Sequence, residues 1–216
     1  MESRTKERLG ATLQRLTDDE QFDTITVKRL VLESHVNRQT FYYHFQDKFD
    51  CLQYQFDHEA QRLVGKVTAD NWLASYLSLF RYIDAHQNFC HHVVDSHAYS
   101  EFDDFILETI DLIVERLKQS LKQACPQLHF RNESGLLLFE YGLQGIVRNW
   151  FRSGLRENPA LVVEGIGPVS QRQLAMLLET ESLLTKVSVK QQLASVYHLY
   201  ITQSLSILYL VRQLYS

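Results

Sequence analysis

Three consecutive residues, Arg38, Gln39 and Thr40, carry side chains whose chemistry suits the edges of nucleic-acid bases. An arginine can donate two parallel hydrogen bonds to guanine, a glutamine can bond to adenine at two points, and a threonine methyl group can pack on the methyl group of thymine. Residues of this kind read base sequence when they occupy the first turn of a helix that enters the major groove. Alternatively, Arg38 is a solvated residue at the start of an ordinary helix.

The flanking sequence predicts the helices that must hold this triplet. Over residues 5–17, leucines recur at spacings that place them on one helical face. Thr26 and Asn37 are suitable N-caps for a second and a third short helix, with a turn at His35 between them. Asp47 can cap a long fourth helix. Two short helices joined by a tight turn after a longer one form a helix-turn-helix, although a generic three-helix bundle shows the same periodicity.

The block VNRQTFYYHFQDK, residues 36–48, together with ITV at residues 25–27, resembles the N-terminal signature of the TetR family of bacterial transcriptional regulators. Several aromatic and polar positions agree in register with that signature, and the match covers residues 5–55. Two positions depart from it. His35 stands where glycine is usual, which costs little even if the turn needs a positive φ, and Val31 stands where alanine is usual.

The resemblance implies roles for the polar residues of this block. Tyr42 and His44 resemble the phosphate-contacting pair of the family, and Lys48 resembles its phosphate-binding lysine, although Tyr42 could instead pack on the first helix. Thr26 and Lys28 can anchor the start of the second helix to the DNA backbone, and Tyr43 can share the base-reading face. The expected DNA-binding residues are Thr26, Lys28, Asn37, Arg38, Gln39, Thr40, Tyr42, Tyr43, His44 and Lys48.

Two segments further resemble the subgroup of regulators of dihydroxyacetone kinase operons. The first is residues 37–45, and the second, weaker match rests on Tyr141-Gly142, on residues 145–150 and on Asn158-Pro159. The subgroup resemblance implies that some members act as co-activators that respond through a partner protein. A partner protein is therefore one possible effector of this chain.

The composition points to long helices throughout. Of 216 residues, 45% are hydrophobic, so a substantial core can be buried, whereas only 8 Gly and 3 Pro are present for the many tight turns of an all-β fold. We therefore expect an all-α protein, with a homeodomain-like helix-turn-helix over residues 1–50 and a helical effector-binding and dimerisation bundle over residues 51–216. Further helices are predicted at 72–89, 101–124, 134–154, 170–184 and 189–214, with breaks at Cys125-Pro126, Asn158-Pro159 and Gly165–Pro168.

Charge and motif content argue against several functional classes. The net charge is −4, and residues 24–48 carry four basic and two acidic side chains, so a DNA-binding surface must be small and well placed. Three widely spaced cysteines and a polar N-terminus without a signal-peptide core favour the cytoplasm. No apolar stretch is long enough to span a membrane. P-loop, HExxH and GxSxG motifs are missing, so we expect neither an enzyme nor a cofactor.

The C-terminal part is rich in aromatic residues, which suggests an apolar effector pocket between helices. Ordinary core packing is the alternative for each of these residues. The residues expected to line the pocket are Tyr76, Phe80, Phe89, Phe105, Phe139 and Trp150.

A second cluster in this part could bind a metal ion. On a helix, His86 and Cys90 share a face, and His91 and Asp95 share another. Histidine and cysteine at this spacing can begin a Zn²⁺ or Ni²⁺ site, and His97 follows closely. The alternative is a polar helix end with solvated histidines.

Association through the last helices is expected on two grounds. Gly142 and Gly145 permit the close approach of a second helix, and the family resemblance implies a homodimer joined by a four-helix bundle. An apolar stripe predicted over residues 189–214 would enlarge this interface or cover the pocket.

Taken as a whole, the sequence predicts a transcriptional regulator that binds double-stranded operator DNA. We expect a repressor whose operator binding is controlled by a small-molecule or protein effector. The alternatives are a co-activator controlled by a partner protein, and a metal-responsive regulator that uses the cluster at residues 86–97.

Overall fold

A computed structural model describes residues 2–124, 126 and 133–177 of the chain. This part of the chain is helical and contains no strand, in agreement with the predicted all-α class. None of its helices is both long enough and apolar enough to cross a membrane. The helices are α1 (Glu2–Asp19), α2 (Val27–Glu33), α3 (Arg38–His44), α4 (Lys48–Leu63), α5 (Trp72–Ala85), α6 (Gln87–Val94), α7 (Tyr99–Ala124), α8 (Glu133–Arg152) and α9 (Pro159–Leu177), with a short 3-10 helix at Phe22–Thr24.

The three N-caps predicted for α2, α3 and α4 are all formed. The Thr26 hydroxyl oxygen accepts a hydrogen bond from the Arg29 amide at 3.2 Å. The Asn37 side-chain oxygen accepts one from the Thr40 amide at 2.7 Å. The Asp47 carboxylate accepts two, at 2.8 and 3.0 Å, from amides in the first turn of α4. Each cap satisfies amides that the helix leaves unpaired, so the sequence itself fixes where these helices begin.

The inner side of the N-terminal helices is apolar. Phe41 and Phe45 of α3 lie with their ring centroids 5.8 Å apart and belong to the same buried cluster as the leucines of α1. Leu30 and Val31 of α2 are buried in that cluster as well. Helices α2 and α3 thus each pack against the N-terminal core with one face and expose the opposite face to solvent.

The turn between α2 and α3 has a left-handed residue, as the glycine-type position suggested. His35 has a φ of 52°. A left-handed backbone costs a residue with a Cβ atom roughly 1–2 kcal/mol, and histidine is among the residues that tolerate it. The departure from glycine at this position therefore leaves the turn intact.

We expect His35→Gly to raise the free energy of unfolding by at most about 1 kcal/mol, because relief of the left-handed strain is partly offset by the greater freedom of glycine in the unfolded chain. The matched variant His35→Val should lower the free energy of unfolding by roughly 1–2 kcal/mol, because a β-branched residue is poorly tolerated there. Denaturant unfolding of the three proteins measures both changes. Equal stability of the two variants would show that the turn stores no strain.

The helix predicted over residues 72–89 is in fact two helices, α5 and α6, which meet at His86. The backbone of His86 leaves the helical region, with φ of −123° and ψ of 41°. Its amide donates to the carbonyls of Tyr82 and Ile83, and its ring nitrogen Nδ1 lies 2.8 Å from the Tyr82 carbonyl oxygen. The break lets α6 pack against α1, a change of direction that apolar periodicity does not encode.

The break predicted at Gly165–Pro168 is wrong, because α9 continues through it as far as Leu177. Pro168 has no amide hydrogen, so the carbonyl of Glu164 loses its partner within the helix. Both residues are exposed, and water can therefore bond to that carbonyl. On an exposed side of a helix the proline is tolerated.

The other predicted breaks fare differently. At Asn158-Pro159 the break is confirmed: the Asn158 side chain accepts a hydrogen bond from the Ala160 amide at 2.9 Å, and α9 begins at the proline. Helix α7 ends at Ala124, next to the break predicted at Cys125-Pro126. The helix predicted at 170–184 therefore starts earlier than expected and is described only to residue 177, and the predicted helix 189–214 lies outside the described residues.

Helix α4 connects the N-terminal helices to the rest of the described chain. It packs against α1 on one side and against α7 on another. Leu52 and Phe56 are fully buried, and the Phe56 ring stacks on that of Phe105 with 4.7 Å between centroids. Because α4 continues across residue 50, the functional division at that residue stays a prediction.

Acidic residues of α4 and α7 lie close together at an exposed position. Glu108 lies beside Asp57, and burial, the hydrogen bond with Asp57 and repulsion from neighbouring carboxylates raise the pKa of Glu108 from its ordinary value of 4.5 to about 7. The folded chain therefore holds more protons than the unfolded chain between these two pH values. Its stability falls as the pH rises through that window.

We expect Glu108→Gln to be more stable than the wild type at about pH 8 and equally stable at about pH 4, because glutamine stays neutral throughout. Thermal unfolding of both proteins across this range measures the difference. Glu157→Gln, at an exposed loop position before α9, is the matched control and should follow the wild type. A difference that stays constant with pH would contradict the assignment.

Candidate nucleic-acid interface

The outer side of α3 carries large and polar side chains in solvent. Tyr43 is 75% exposed and Tyr42 is 49% exposed, and Arg38 and Gln39 of the first turn are exposed as well. Spacings of four residues place Arg38 beside Tyr42 and Gln39 beside Tyr43. These four side chains are candidates for DNA contact, and for that reason alone we refer to them as the DNA-binding face of α3.

Arg38 and Tyr42 contact each other on this face. The Arg38 guanidinium donates to the Tyr42 hydroxyl at 3.4 Å, and its central carbon lies 5.5 Å from the centre of the tyrosine ring. The Tyr42 ring rests edge-on against the buried Phe41 at 5.3 Å. Tyr42 therefore packs on its neighbour within α3, and its hydroxyl reaches the exposed surface and meets Arg38 there.

Three residues that were expected to contact DNA take part in the N-caps of helices. Thr26 and Asn37 use a side-chain oxygen to cap α2 and α3, and Thr40 is half-buried with its amide bound to Asn37. These caps use acceptor oxygens only. The hydroxyl proton of Thr26 and the side-chain amide group of Asn37 are donors that the caps do not use, so both can still face a phosphate.

His44, at the end of α3, is half-buried. Its ring packs edge-on against Tyr43 at 5.0 Å, and its Nδ1 atom is buried without a hydrogen-bond partner among the described residues. Any contact with a phosphate would have to use the other ring nitrogen.

Lys48, whose resemblance implies a phosphate contact, makes its hydrogen bonds within the chain. Its ammonium group donates to the backbone carbonyls of Phe22 at 2.8 Å, Asp23 at 3.0 Å and Ile25 at 3.0 Å. The charge also lies 4.5 Å from the centre of the Phe22 ring. Partial burial lowers the pKa of Lys48, against the opposing effect of Asp23.

An ammonium group has three donors, and here all three are used within the chain. Lys48 thus fastens the start of α4 to the 3-10 helix that precedes α2. A direct hydrogen bond from Lys48 to a phosphate would need one of these contacts to break. The sequence could not indicate this role, because the acceptors are backbone atoms more than twenty positions away.

The basic residues of the N-terminal helices divide into paired and unpaired ones. Arg29 pairs with Glu20, and Arg15 pairs with Glu33 at 3.0 Å. Within the described part of the chain, Lys28 and Arg38 have no ion pair, and both are exposed. Exposed positive charge without an ion pair therefore stands at the start of α2 and the start of α3, where a DNA backbone and base edges would be met.

The six residues expected to line an effector pocket are buried, and three of them contact one another. Tyr76 lies edge-on to Phe80 at 5.1 Å, and Phe80 contacts Trp150 at 4.9 Å. Their polar atoms are used within the chain: the Tyr76 hydroxyl donates to the Leu143 carbonyl at 2.7 Å, and the indole nitrogen of Trp150 donates to the Glu157 carbonyl at 2.9 Å. This packing favours ordinary core for these residues, and the pocket stays a prediction. All six, Tyr76, Phe80, Phe89, Phe105, Phe139 and Trp150, are buried.

The possible metal site at His86, Cys90 and His91 is not formed in the described part of the chain, where no group of three or more potential ligands comes together. His86 contacts the Tyr82 carbonyl, and the His91 ring packs on Phe151 at 4.6 Å. Burial raises the pKa of the Cys90 thiol, which disfavours the thiolate that metals bind. The helix break at His86 separates side chains that a continuous helix would have aligned.

Two other histidines of this region instead contact the N-terminal helices. The His92 ring nitrogen Nδ1 lies 2.6 Å from the Thr17 carbonyl oxygen. His97 bonds to the Asp23 carboxylate through its ring nitrogen Nδ1 at 2.8 Å and through its backbone amide at 3.3 and 3.4 Å. Sequence reasoning missed Asp23 entirely, since its partner lies 74 positions away.

Comparisons with known proteins agree with this architecture. Residues 70–169 match the TetR_C_8 family, described as a transcriptional regulator C-terminal region. A solved structure of the dihydroxyacetone kinase operon activator DhaS superposes with a TM-score of 0.63 at 17% identity, covering 81% of this chain and 98% of that one. The reduced form of E. coli NemR covers 82% of this chain and 99% of its own, at 17% identity and a TM-score of 0.46. No curated protein matches the sequence significantly.

The family match begins after the helix-turn-helix and covers residues 70–169, and the fold shared with the first of these structures extends over most of the described residues. The helix-turn-helix arrangement of α2 and α3 and the signature at residues 36–48 lie outside the matched segment and agree with it independently. The match of residues 70–169 supports a TetR-family transcriptional regulator, and the fold is consistent with it.

Proposed function

We propose that the chain binds operator DNA as a homodimer, with α3 of each copy in a major groove. The observation that carries this proposal is the DNA-binding face of α3, where exposed side chains with base-reading chemistry stand on a helix fixed by its own cap and core. Nothing else in the described N-terminal helices explains why Tyr43 is left 75% exposed beside Arg38 and Gln39.

The proposed roles follow from position and chemistry. Arg38, Gln39 and Thr40 contact base edges, because they occupy the first turn of α3. Lys28 and Tyr42 contact phosphates on either side of the groove. Tyr43 shares the base-reading face. The further phosphate contacts proposed are those of Thr26, Asn37 and His44, whereas Lys48 acts by holding the 3-10 helix in place.

Selection of bound fragments from random double-stranded DNA tests this function. A dimer should select an inverted repeat with half-sites about one helical turn, or a multiple of it, apart. Tyr43→Ala should weaken the enrichment strongly, whereas the matched variant Tyr99→Ala, which removes an exposed tyrosine from α7, should not. Absence of any enriched sequence with the wild type would sink the proposal.

A second copy of the chain is the proposed occupant of an apolar face on α8 and α9. Leu138 is 71% exposed and Leu161 is 65% exposed, and Tyr141 is exposed beside Leu138 at the spacing of one helical turn. A Cβ atom added at Gly142 or Gly145 would meet nothing within 4 Å, so this side of α8 is open to a close neighbour. Exposed apolar faces of this kind mark interaction sites.

Control of DNA binding by an effector is the remaining part of the proposal. Repression is the simpler outcome, because a dimer seated on a promoter blocks it by occupancy alone. A co-activator controlled by a partner protein is a second candidate. It is favoured because the six aromatic residues of the predicted pocket are buried, and the polar atoms of Tyr76 and Trp150 bind carbonyls of the chain itself and not a ligand. A small-molecule thermal-shift screen against a pull-down from the native host distinguishes the two kinds of effector.

A further inference from the structure

The 3-10 helix at Phe22–Thr24 is held from two sides by different parts of the chain. On one side its carbonyls bind the Lys48 ammonium group at the start of α4. On the other side the Asp23 carboxylate accepts hydrogen bonds from the ring and the backbone amide of His97, in the turn between α6 and α7. The short helix is therefore a meeting point of the N-terminal helices with the C-terminal part.

This meeting point lies next to the helices that would bind DNA. Only two residues separate Asp23 from Thr26, the N-cap of α2, and Phe22 is fully buried against Phe49 with ring centroids 5.2 Å apart. A shift of Asp23 therefore moves the start of α2. Because α2 and α3 share one apolar core, α3 moves with it.

The turn between α6 and α7 is itself connected to the proposed dimer helices. Asp103, in the second turn of α7, binds the Arg148 guanidinium of α8 at 2.6 Å. His92 adds a second contact between α6 and the end of α1. A displacement of α8 relative to α7 can thus reach the turn that holds Asp23 through the first turns of α7 itself.

We propose that the Asp23–His97 contact is a positioning element for DNA binding, through which the turn between α6 and α7 sets the affinity of the chain for its operator. This inference rests on the proposed DNA-binding function. His97 and Asp23 touch no DNA in it and act through Thr26 and α2. Lys48 is a further charged group that acts on Asp23.

A double-mutant cycle on operator affinity tests the contact. Because both side chains are partly exposed, His97→Ala should weaken binding of the selected operator about two- to fivefold, in the range of exposed charged pairs. Asp23→Asn should weaken operator binding in the wild type but have a smaller effect in the His97→Ala background. The difference between the two effects should again be about two- to fivefold. Effects that simply add in the double variant would overturn the proposal.

Rescue by a conservative variant separates positioning from a general structural role. His97→Asn keeps a hydrogen-bond donor near the place of Nδ1, so it should recover most of the operator affinity that His97→Ala loses. His58→Ala, which removes an exposed histidine of α4, should bind the operator as the wild type does. A His97→Asn protein that binds as weakly as His97→Ala would contradict the inference.

Melting temperatures of all variants guard against loss of folding. If the wild type fails to bind any selected sequence, the proposed DNA-binding function fails. If the wild type binds and the cycle shows no coupling, only the Asp23–His97 inference fails.

Discussion

Replacement of Leu138 by glutamate should convert the dimer to a monomer and lower operator affinity by about 10²–10⁴-fold, the gain that linking two binding modules provides. Leu138 is the most exposed of the large apolar side chains on α8. In the proposed dimer it would be buried against the partner, and an unpaired carboxylate there would lose its hydration without compensation. Each half of the operator would then be bound by an independent chain.

Sedimentation equilibrium and gel-shift titration measure the two expected changes together. The full operator and an isolated half-site should bind the variant with nearly the same affinity, whereas the wild type should prefer the full operator strongly. Ala85→Glu, at an exposed position of α5, adds the same charge elsewhere and should stay dimeric. A Leu138→Glu protein that remains a dimer with full operator affinity would show that α8 does not form the interface.

Loss of the Arg38 side chain should have the second-largest effect. We expect Arg38→Ala to weaken binding by about 1–3 kcal/mol per half-site and to relax the preference at one base pair of each half-site. The reason is that a bidentate contact to guanine is lost, and the other base pairs keep their own contacts. Competition with operators changed at single base pairs maps where the preference disappears.

Two further variants sharpen the interpretation of Arg38. Tyr42→Phe removes the hydroxyl that Arg38 contacts but keeps the guanidinium, so it should lower affinity less and keep the base preference. Lys28→Ala should weaken all DNA sequences alike and reduce the salt dependence of binding, as expected for a phosphate contact. If Arg38→Ala keeps the full base preference, the base-reading role is lost and Arg38 becomes a phosphate contact or a solvated residue.

Features governed by neighbours in sequence were predicted well. The N-caps at Thr26, Asn37 and Asp47 depend on residues two or three positions away, and all three are formed. A turn at His35 was expected too, and the structure adds that its backbone is left-handed. Cap and turn chemistry is local, so a single sequence is enough to find it.

Features that depend on distant contacts were missed or misplaced. Lys48 carries the family signature, but its acceptors are carbonyls of a turn that only the folded chain brings close. Pro168 was interpreted as a helix break, because whether a proline interrupts a helix depends on the surroundings of the carbonyl it leaves free. The histidines at 86–97 have metal-like spacing only on a continuous helix, and the break at His86 removes that alignment.

Helix α4 limits how freely the N-terminal and C-terminal parts of related regulators can be exchanged. Its first residue fastens the turn before α2, while its later residues pack against α7, so one rigid segment belongs to both halves. A chimaera that joins the DNA-binding helices of one relative to the C-terminal helices of another must therefore choose a single parent for α4. It must also carry over the matching turn between α6 and α7, because His97 recognises Asp23 in the donor of the N-terminal part. Modular exchange at residue 50 would cut through the segment that makes the two halves one cooperative unit.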